Sequence, residues 1–226
     1  MKFLITDQDG TLIVEAPFTS LAISYGFHEK NMRDVNRYMQ RELSYEELTK
    51  VFVDELISRN AKRRDIEKIL KGLTPVNGLS SLLERLNGNG LAVLSGGFIE
   101  VSEIHGILPK FKEHYGLRLL YNEGGVISGR THFEGTSEGK LLTLQRIVTS
   151  HDLSLRDICY LGDSGNDYLV AKELVNNGGT FIMVQPEQDG DESHHYKKHE
   201  YGEIEKLCSL ASKVISSLEE VIPFIE

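Results

Sequence analysis

The stretch MKFLITDQDGTLI, residues 1–13, runs from a short apolar segment directly into two carboxylates. Residues 3–5 have the apolar character of a buried strand, and Asp7 and Asp9 follow it, one residue apart. Side chains i and i+2 of an extended chain point to the same side, so the two carboxylates face one region. Carboxylates that close repel each other unless a positive group lies between them. The segment therefore predicts a buried strand that ends at a cation site.

Further apolar runs predict strands at 91–94, 158–161 and 180–184. Helical patterns bounded by turn residues lie between or after these runs, at 78–86, 140–148 and 167–175. Strands that alternate with helices are typical of the α/β class, so we expect a doubly wound parallel sheet.

Residues 14–74 interrupt this alternation because they contain no convincing strand and have helical patterns throughout. Ser44 and Glu47 form a capping-box pattern that opens a helix over 44–59. A helical block directly after the first strand is expected to form a lid over the strand ends. We therefore expect a core domain of residues 1–13 and 75–226, with a small helical cap domain of residues 14–74.

Three other segments have local sequence patterns that predict their secondary structure. Residues 117–133 predict a β-hairpin around Asn122–Gly125, and residues 205–222 predict a C-terminal amphipathic helix. Residues 185–203 are polar and predict a mobile loop. The loop contains His194, His195 and His199, for which exposed side chains are favoured over a metal site.

Composition limits the classes of function. The chain has 226 residues and a formal net charge of −9, which argues against a general nucleic-acid binder but leaves room for a local anion site. Its two cysteines provide no disulfide framework, and no run of apolar residues reaches the length of a membrane span. The N-terminal apolar run is too short for a signal peptide. We expect a soluble cytoplasmic protein without a membrane or nucleic-acid partner, and its oligomeric state is left open.

A second pair of carboxylates follows the predicted strand 158–161, because Asp163 and Asp167 lie in GDSGND, residues 162–167. Ligands of open α/β sheets bind beyond the carboxyl ends of the strands. If the two strands are neighbours, these carboxylates converge with Asp7 and Asp9 and form an oxygen-rich site suited to Mg²⁺. Two solvated turns remain the alternative for either segment alone, but both follow apolar strands, which favours the metal site.

Phosphate-binding residues are expected near the same edge of the sheet. Ser95 and Gly96 follow the strand 91–94 and offer a hydroxyl and backbone N–H groups. Lys140, at the start of a predicted helix, either supplies a counter-charge to phosphate or is a solvated helix lysine.

Four segments of the chain together resemble the four motifs of the haloacid dehalogenase superfamily, and they occur in the expected order. They are DQDGT (7–11), Ser95, Lys140 and GDSGND (162–167). LSGGF (94–98) and GDSGND are most similar to its phosphoserine phosphatase branch. The resemblance extends to about residue 184 and implies a Rossmann-like core with a small helical cap inserted after the first strand.

The resemblance also implies roles for the motif residues. Asp7 would be the nucleophile that forms an aspartyl-phosphate, and Asp9 would be the acid and then the base. Thr11 would help to hold the motif loop. The phosphate-binding residues would be Ser95, Gly96, Lys140 and Asn166. The Mg²⁺ site would comprise Asp7, the backbone carbonyl of Asp9, Asp163 and, through water or by orienting Lys140, Asp167.

The cap departs from the phosphoserine phosphatase pattern. That branch holds the amino-acid end of its substrate with a glutamate and an arginine, whereas here Glu15 lies one position early and Val51 replaces the arginine. We assign specificity to Glu15, Val51 and Phe52, with Phe18 on the same inner face. Arg33, Arg37 and Arg41 are substitutes that could hold a carboxylate, although such a row is also typical of a solvated helix face. The expected leaving group is an amino alcohol, a small polyol or a sugar rather than serine.

These patterns predict a Mg²⁺-dependent phosphomonoester hydrolase that acts on a small phosphorylated metabolite. The alternatives are a phosphotransferase or phosphomutase that uses the same intermediate, and a non-catalytic regulatory protein that has kept the fold.

Overall fold

The computed structural model describes residues 2–86, 88–185 and 201–226, the first three of the last range by their backbone alone. The predicted loop, apart from its ends, and its three histidines (His194, His195 and His199) lie outside these residues. The strands are β1 (Phe3–Thr6), β2 (Gly90–Phe98), β3 (Glu113–Leu117), β4 (Leu119–Tyr121), β5 (Ile127–Arg130), β6 (Ile158–Gly162), β7 (Thr180–Val184) and β8 (Lys213–Ile215). The helices are α1 (Pro17–Ser24), α2 (His28–Met39), α3 (Tyr45–Ser58), α4 (Arg63–Lys71), α5 (Leu79–Arg85), α6 (Glu100–Ile104), α7 (Ser137–Ser150), α8 (Tyr168–Asn176), α9 (Tyr201–Leu210) and α10 (Ile222–Ile225).

The main sheet is parallel and has the strand order β3-β2-β1-β6-β7-β8. β1 pairs with β6 over its whole length, from Phe3 opposite Ile158 to Thr6 opposite Leu161. The strand order reverses between these two strands. In open α/β sheets the ligand crevice lies beyond the carboxyl ends of the strands at such a reversal. The predicted doubly wound parallel sheet is confirmed, and its reversal lies between the two strands that carry the aspartate pairs.

The sheet is buried on both faces because alternate strand residues contact different layers of helices. Leu4 belongs to a core cluster that includes Leu82 of α5, whereas Ile5 belongs to a cluster with Leu144 of α7 and Val170 of α8. Burial on both faces explains why the strands are continuous apolar runs rather than alternating ones.

Helices α1 to α4 fall in residues 14–74, as the sequence predicts. The capping box of α3 is present: the Glu47 N–H donates to Ser44 Oγ at 3.2 Å, and the Glu47 carboxylate accepts from the Ser44 N–H at 2.8 Å. The two ends of this helical segment meet where the Val14 N–H donates to the Thr74 carbonyl at 2.8 Å. The chain therefore leaves the sheet after β1 and returns to it at the same place.

The hairpin predicted in 117–133 is confirmed, since β4 and β5 pair antiparallel, with Leu119 opposite Arg130. Its turn is closed by the Asn122 side chain, which accepts from the Val126 N–H at 3.0 Å, and by Gly125 in the left-handed region at φ 70°. The strand β3, immediately before the hairpin, was not predicted and extends the main sheet beside β2.

The predicted C-terminal helix over 205–222 is wrong. Helix α9 ends at Leu210, and β8 then pairs parallel with β7, from Ile182 opposite Lys213 to Val184 opposite Ile215. The Gln185 N–H donates to the Ile215 carbonyl at 2.8 Å and continues this ladder. Pairing with the open edge of β7 satisfies backbone groups that a helix would leave to water, and a local helical pattern does not reveal this.

No helix in the described ranges is both long enough and apolar enough to cross a membrane.

Candidate active site

The carboxyl ends of β1, β2 and β6 bring the predicted motif residues to one place. The Asp7 N–H donates to the Leu161 carbonyl at 2.8 Å, which holds the first aspartate beside the end of β6. One carboxylate oxygen from each of Asp7, Asp163 and Asp167 lies within 4.8 Å of the others. The two aspartate segments therefore form one buried acidic cluster and are not separate solvated turns.

Lys140 lies inside this cluster. Its Nζ is 2.9 Å from Asp7 Oδ1 and 2.9 Å from Asp167 Oδ1, and the side chain is 1% exposed. Burial opposes its charge, but Asp167 and Asp7 more than compensate and raise the pKa of Lys140 above its usual value. The ammonium is thus held charged at the site, which excludes the solvated alternative. Thr136 caps α7 one turn earlier, so Lys140 lies in the first turn of the helix.

Asp167 is fully engaged in holding the site together. Its Oδ1 accepts from Lys140 and from the Tyr160 hydroxyl at 2.6 Å, and its Oδ2 accepts from the backbone N–H groups of Asp163 at 3.0 Å and Ser164 at 3.2 Å. Burial raises the pKa of Tyr160 well above its usual value, so the phenol stays a neutral donor. Tyr160 was not found from the sequence because it looks like an ordinary strand residue of the core.

Lys140 offsets only part of the unfavourable burial of the carboxylates in this cluster. Burial raises the pKa of Asp7 well above its usual value, and Asp167 and Asp163 add to the effect, while Lys140 opposes it. Burial raises the pKa of Asp9 to about 7, opposed by a hydrogen bond from Gln8 and by Lys140. The donors here are carboxylate oxygens, which hard divalent cations prefer, so the residues fit Mg²⁺.

Gln8, between the two aspartates, is a site residue that the sequence analysis missed. Its amide donates to Asp9 Oδ1 at 2.7 Å and to the Phe98 carbonyl at 3.2 Å, and accepts from Ser102 Oγ at 2.6 Å. The side chain is fully buried and holds the Asp9 carboxylate in one orientation. A polar residue between two site carboxylates is the signal that could have identified it.

Two glycines allow the carboxylates to approach the backbone. Gly10 has φ +81°, and a Cβ there would lie 2.2 Å from Asp163 Oδ2. A Cβ on Gly97 would lie 2.1 Å from Asp9 Oδ2. Both distances are far below van der Waals contact, so any side chain would displace a site carboxylate.

The motif resemblance implies that Asp9 acts as acid and base in phosphomonoester hydrolysis, so displacing Asp9 by Gly97→Ala is expected to lower kcat by about 100-fold. Gly129→Ala is the control, since a Cβ there meets only Leu120 Cδ1 at 3.8 Å. Steady-state kinetics of both variants test this, and an unchanged kcat in Gly97→Ala would contradict the placement of Asp9.

A partly open cavity of about 250 Å³ lies over the cluster. Its floor contains most of the predicted site residues, namely Asp7, Asp9, Gly96, Lys140, Asp163 and Asn166. Asp167 lies behind this floor. So does Ser95, whose Oγ accepts from the Gly97 N–H at 2.9 Å. Thr11 donates to Asp163 Oδ1 at 3.3 Å and supports the loop, as expected.

Residues of the helical segment form the roof of the cavity. Among the described residues that line this roof there is no lysine, arginine, aspartate or glutamate. Its apolar members are Val14, Ala16, Phe18, Met32, Val35, Met39 and Leu48. Its polar members are Thr19, Asn31, Asn36, Tyr38, Tyr45 and Thr49.

Of the predicted specificity residues, only Phe18 belongs to this roof. The Glu15 carboxylate accepts from the Thr74 hydroxyl and N–H, both at 2.7 Å, where the helical segment joins the core. Phe52 is 2% exposed in the core, with its ring 4.4 Å from that of Phe18. Val51 is also absent from the wall. Glu15, Val51 and Phe52 therefore do not line the cavity. Residues of α1 and α2 line it instead.

The roof is attached to the floor through α3. The Tyr45 hydroxyl donates to the Gly96 carbonyl, next to the proposed phosphate-binding residues. Glu46 pairs with Arg130 at 2.8 Å and with His132 at 2.6 Å, and thereby joins α3 to the hairpin and the chain that follows it. These contacts hold α3 against the floor of the site and against the hairpin.

Comparisons with known proteins support the fold. No family model matches the chain, and no curated protein does. The structure is similar to a phospho-aspartyl intermediate analogue of phosphoserine phosphatase, with a TM-score of 0.72, 22% identity, and coverage of 100% of this chain and 99% of the other. It is similar to a HAD-family hydrolase from Salmonella enterica serovar Typhi, with a TM-score of 0.77, 15% identity, and coverage of 99% and 70%. A haloacid dehalogenase-like hydrolase from Streptococcus pneumoniae gives a TM-score of 0.59, 16% identity, and coverage of 100% and 99%.

These similarities show that the chain has the haloacid dehalogenase-like fold, as the motif resemblance implied.

Proposed function

We propose that this protein is a Mg²⁺-dependent phosphomonoester hydrolase that acts on a small phosphorylated metabolite. The observation that carries the proposal is the convergence of Asp7, Asp9, Lys140 and Asp163 on the floor of one cavity. A buried nucleophile, a second acid with a pKa of about 7 and a fixed cation are the groups that transfer of a phosphoryl group requires. Several proteins of similar fold are named phosphoserine phosphatases, which is consistent with this chemistry.

In the first proposed step, an Asp7 carboxylate oxygen attacks phosphorus and the ester P–O bond breaks. The leaving oxygen takes its proton from Asp9, whose raised pKa suits this role. In the second step, a water oxygen attacks phosphorus, its proton goes to Asp9, and the bond to Asp7 breaks, which releases phosphate. Lys140, Gly96 and Asn166 lie where they can hold the phosphoryl oxygens throughout.

The Asp7 and Asp163 carboxylates and the Asp9 backbone carbonyl would hold the divalent cation. When bound, such an ion supplies positive charge to the phosphoryl oxygens as negative charge develops on them. The hydrogen bonds of Asp167 are already taken by Lys140, Tyr160 and the loop N–H groups. We therefore assign Asp167 the second of its two expected roles, that of orienting Lys140.

The same proposal treats residues 14–74 as a cap domain over a core of residues 1–13 and 75–226. The main-chain contact between Val14 and Thr74 supports this boundary. A cytoplasmic location without nucleic-acid or membrane partners is part of the proposal, and the free cysteines, Cys159 and Cys208, are compatible with a reducing compartment.

The test is phosphate release from a panel of phosphorylated metabolites with Mg²⁺ present. Asp7→Asn is the control for contaminating phosphatase. Transfer of phosphate to added alcohols rather than to water would favour a phosphotransferase. Binding without turnover would favour a regulatory protein that has kept the fold.

For Asp9→Asn we expect kcat to fall by about 10²- to 10⁴-fold with an alkyl phosphate, because the leaving alkoxide is no longer protonated. With an aryl phosphate whose leaving group needs no proton, the first step should survive and a phosphoenzyme should accumulate. Intact-protein mass spectrometry after acid quench checks this. Equal losses for both substrates, with no covalent adduct, would assign Asp9 another role.

A further inference from the structure

The charges of the cavity are all on one side. Asp7, Asp9, Lys140 and Asp163 lie on the floor, where a phosphate and its cation are proposed to bind. The roof, which meets the leaving group, has no lysine, arginine, aspartate or glutamate among the described residues that form it. A charged group of the substrate pointing towards the roof would find no partner of opposite charge there, which is unfavourable because the group loses part of its hydration.

The charged side chains nearest in sequence are engaged elsewhere. Arg37, on α2 beside roof residues, pairs with Asp34 at 3.3 Å and Glu42 at 3.5 Å. Arg33 and Arg41 are exposed and absent from the wall. The Glu15 carboxylate is bonded to Thr74. The sequence-based expectation of an ammonium held by Glu15, or of a carboxylate held by one of these arginines, therefore has no support in the geometry.

From these observations, and resting on the proposed phosphatase function, we infer that the leaving group is a small uncharged alcohol. Its body is mainly apolar and lies against the roof. The cavity of about 250 Å³ is slightly below the usual range of small-molecule pockets, which favours a small leaving group.

The experiment compares kcat/KM for butyl phosphate, phosphoethanolamine and phosphoserine. We expect butyl phosphate to be preferred to each charged substrate by about tenfold or more, because a charged group loses part of its hydration beside a roof that offers no partner. Leu48→Arg places a cation in the roof and should raise kcat/KM for phosphoserine relative to butyl phosphate. Val51→Arg, on the same helix but outside the wall, should leave that ratio unchanged. A parent enzyme that prefers phosphoserine or phosphoethanolamine overturns the inference.

Binding to Asp7→Asn, measured by calorimetry with the same phosphates, separates this inference from the proposed function. If no phosphate is hydrolysed by the parent but the order of Kd values is kept, the phosphatase assignment fails and the inferred ligand class stands. If hydrolysis is observed but phosphoserine binds as tightly as butyl phosphate, the ligand class fails and the phosphatase assignment stands. Absence of binding by butyl phosphate overturns the inference.

Discussion

Replacing Asp7 with asparagine should abolish phosphomonoester hydrolysis, with a loss of at least about 10⁴-fold in kcat. An amide oxygen is a poor nucleophile, so no covalent intermediate should form on residue 7. Asparagine has nearly the shape of aspartate, and Lys140 keeps its ion pair with Asp167 at 2.9 Å, so the fold should be retained. Phosphate release and mass spectrometry of acid-quenched protein measure the two consequences separately.

The control for this substitution is Asp152→Asn. Asp152 is exposed, lies outside the site and has φ 52°, a conformation that asparagine tolerates. The control should keep the activity of the parent, and both variants should unfold at a similar temperature. Near-normal turnover by a folded Asp7→Asn protein would show that Asp7 is not the nucleophile.

Removing divalent cations with EDTA should abolish turnover, and Mg²⁺ should restore it. Carboxylate oxygens of Asp7, Asp163 and Asp167 lie within 4.8 Å of one another. At an effective dielectric constant near 20, repulsion between two charges at that distance is roughly 3 kcal/mol, and Lys140 is the one cation that the described residues place among them. A bound divalent cation would offset this repulsion, so the metal is expected to stabilise the fold as well as to support catalysis.

Thermal unfolding provides a readout of the metal that does not depend on activity. Mg²⁺ should raise the unfolding temperature of the parent in a concentration-dependent way, because it binds the folded state selectively. Asp163→Asn should lose most of this shift, whereas Asp152→Asn should keep it. Full turnover in metal-free buffer, or an equal Mg²⁺ shift in Asp163→Asn, would contradict the proposed metal site.

The floor of the site was predictable from the sequence because its residues lie in short motifs at the ends of strands. The strand 180–184 was predicted with the bounds that β7 has, and the aspartate pairs were expected to converge if their strands were neighbours. Both features depend on local order: an apolar run indicates burial, and the residues after it lie at the sheet edge where ligands bind. The convergence of Asp7 with Asp163 also required β1 and β6 to be neighbours, which the sequence left open and the structure shows.

The roof could not be predicted in the same way. A helical pattern shows which side chains of a helix are buried. It does not show which of them pack in the core and which cover a cavity formed by residues distant in sequence. Phe52 and Leu48 lie on one helix, and packing places the first in the core and the second in the cavity wall. Glu15 was expected to contact substrate, but it bonds to Thr74, a residue distant in sequence.

The sequence by itself determined the α/β class, the helical segment after β1 and the set of chemical groups at the site. Only the tertiary structure decided which partners those groups have: Tyr160 and Lys140 on Asp167, Gln8 on Asp9, and β8 rather than a helix at the edge of the sheet. The physical reason is the distance along the chain over which each kind of interaction acts. Apolar periodicity and turn chemistry act over a few residues, whereas buried hydrogen bonds, ion pairs and strand pairing join segments that meet only when the chain has folded.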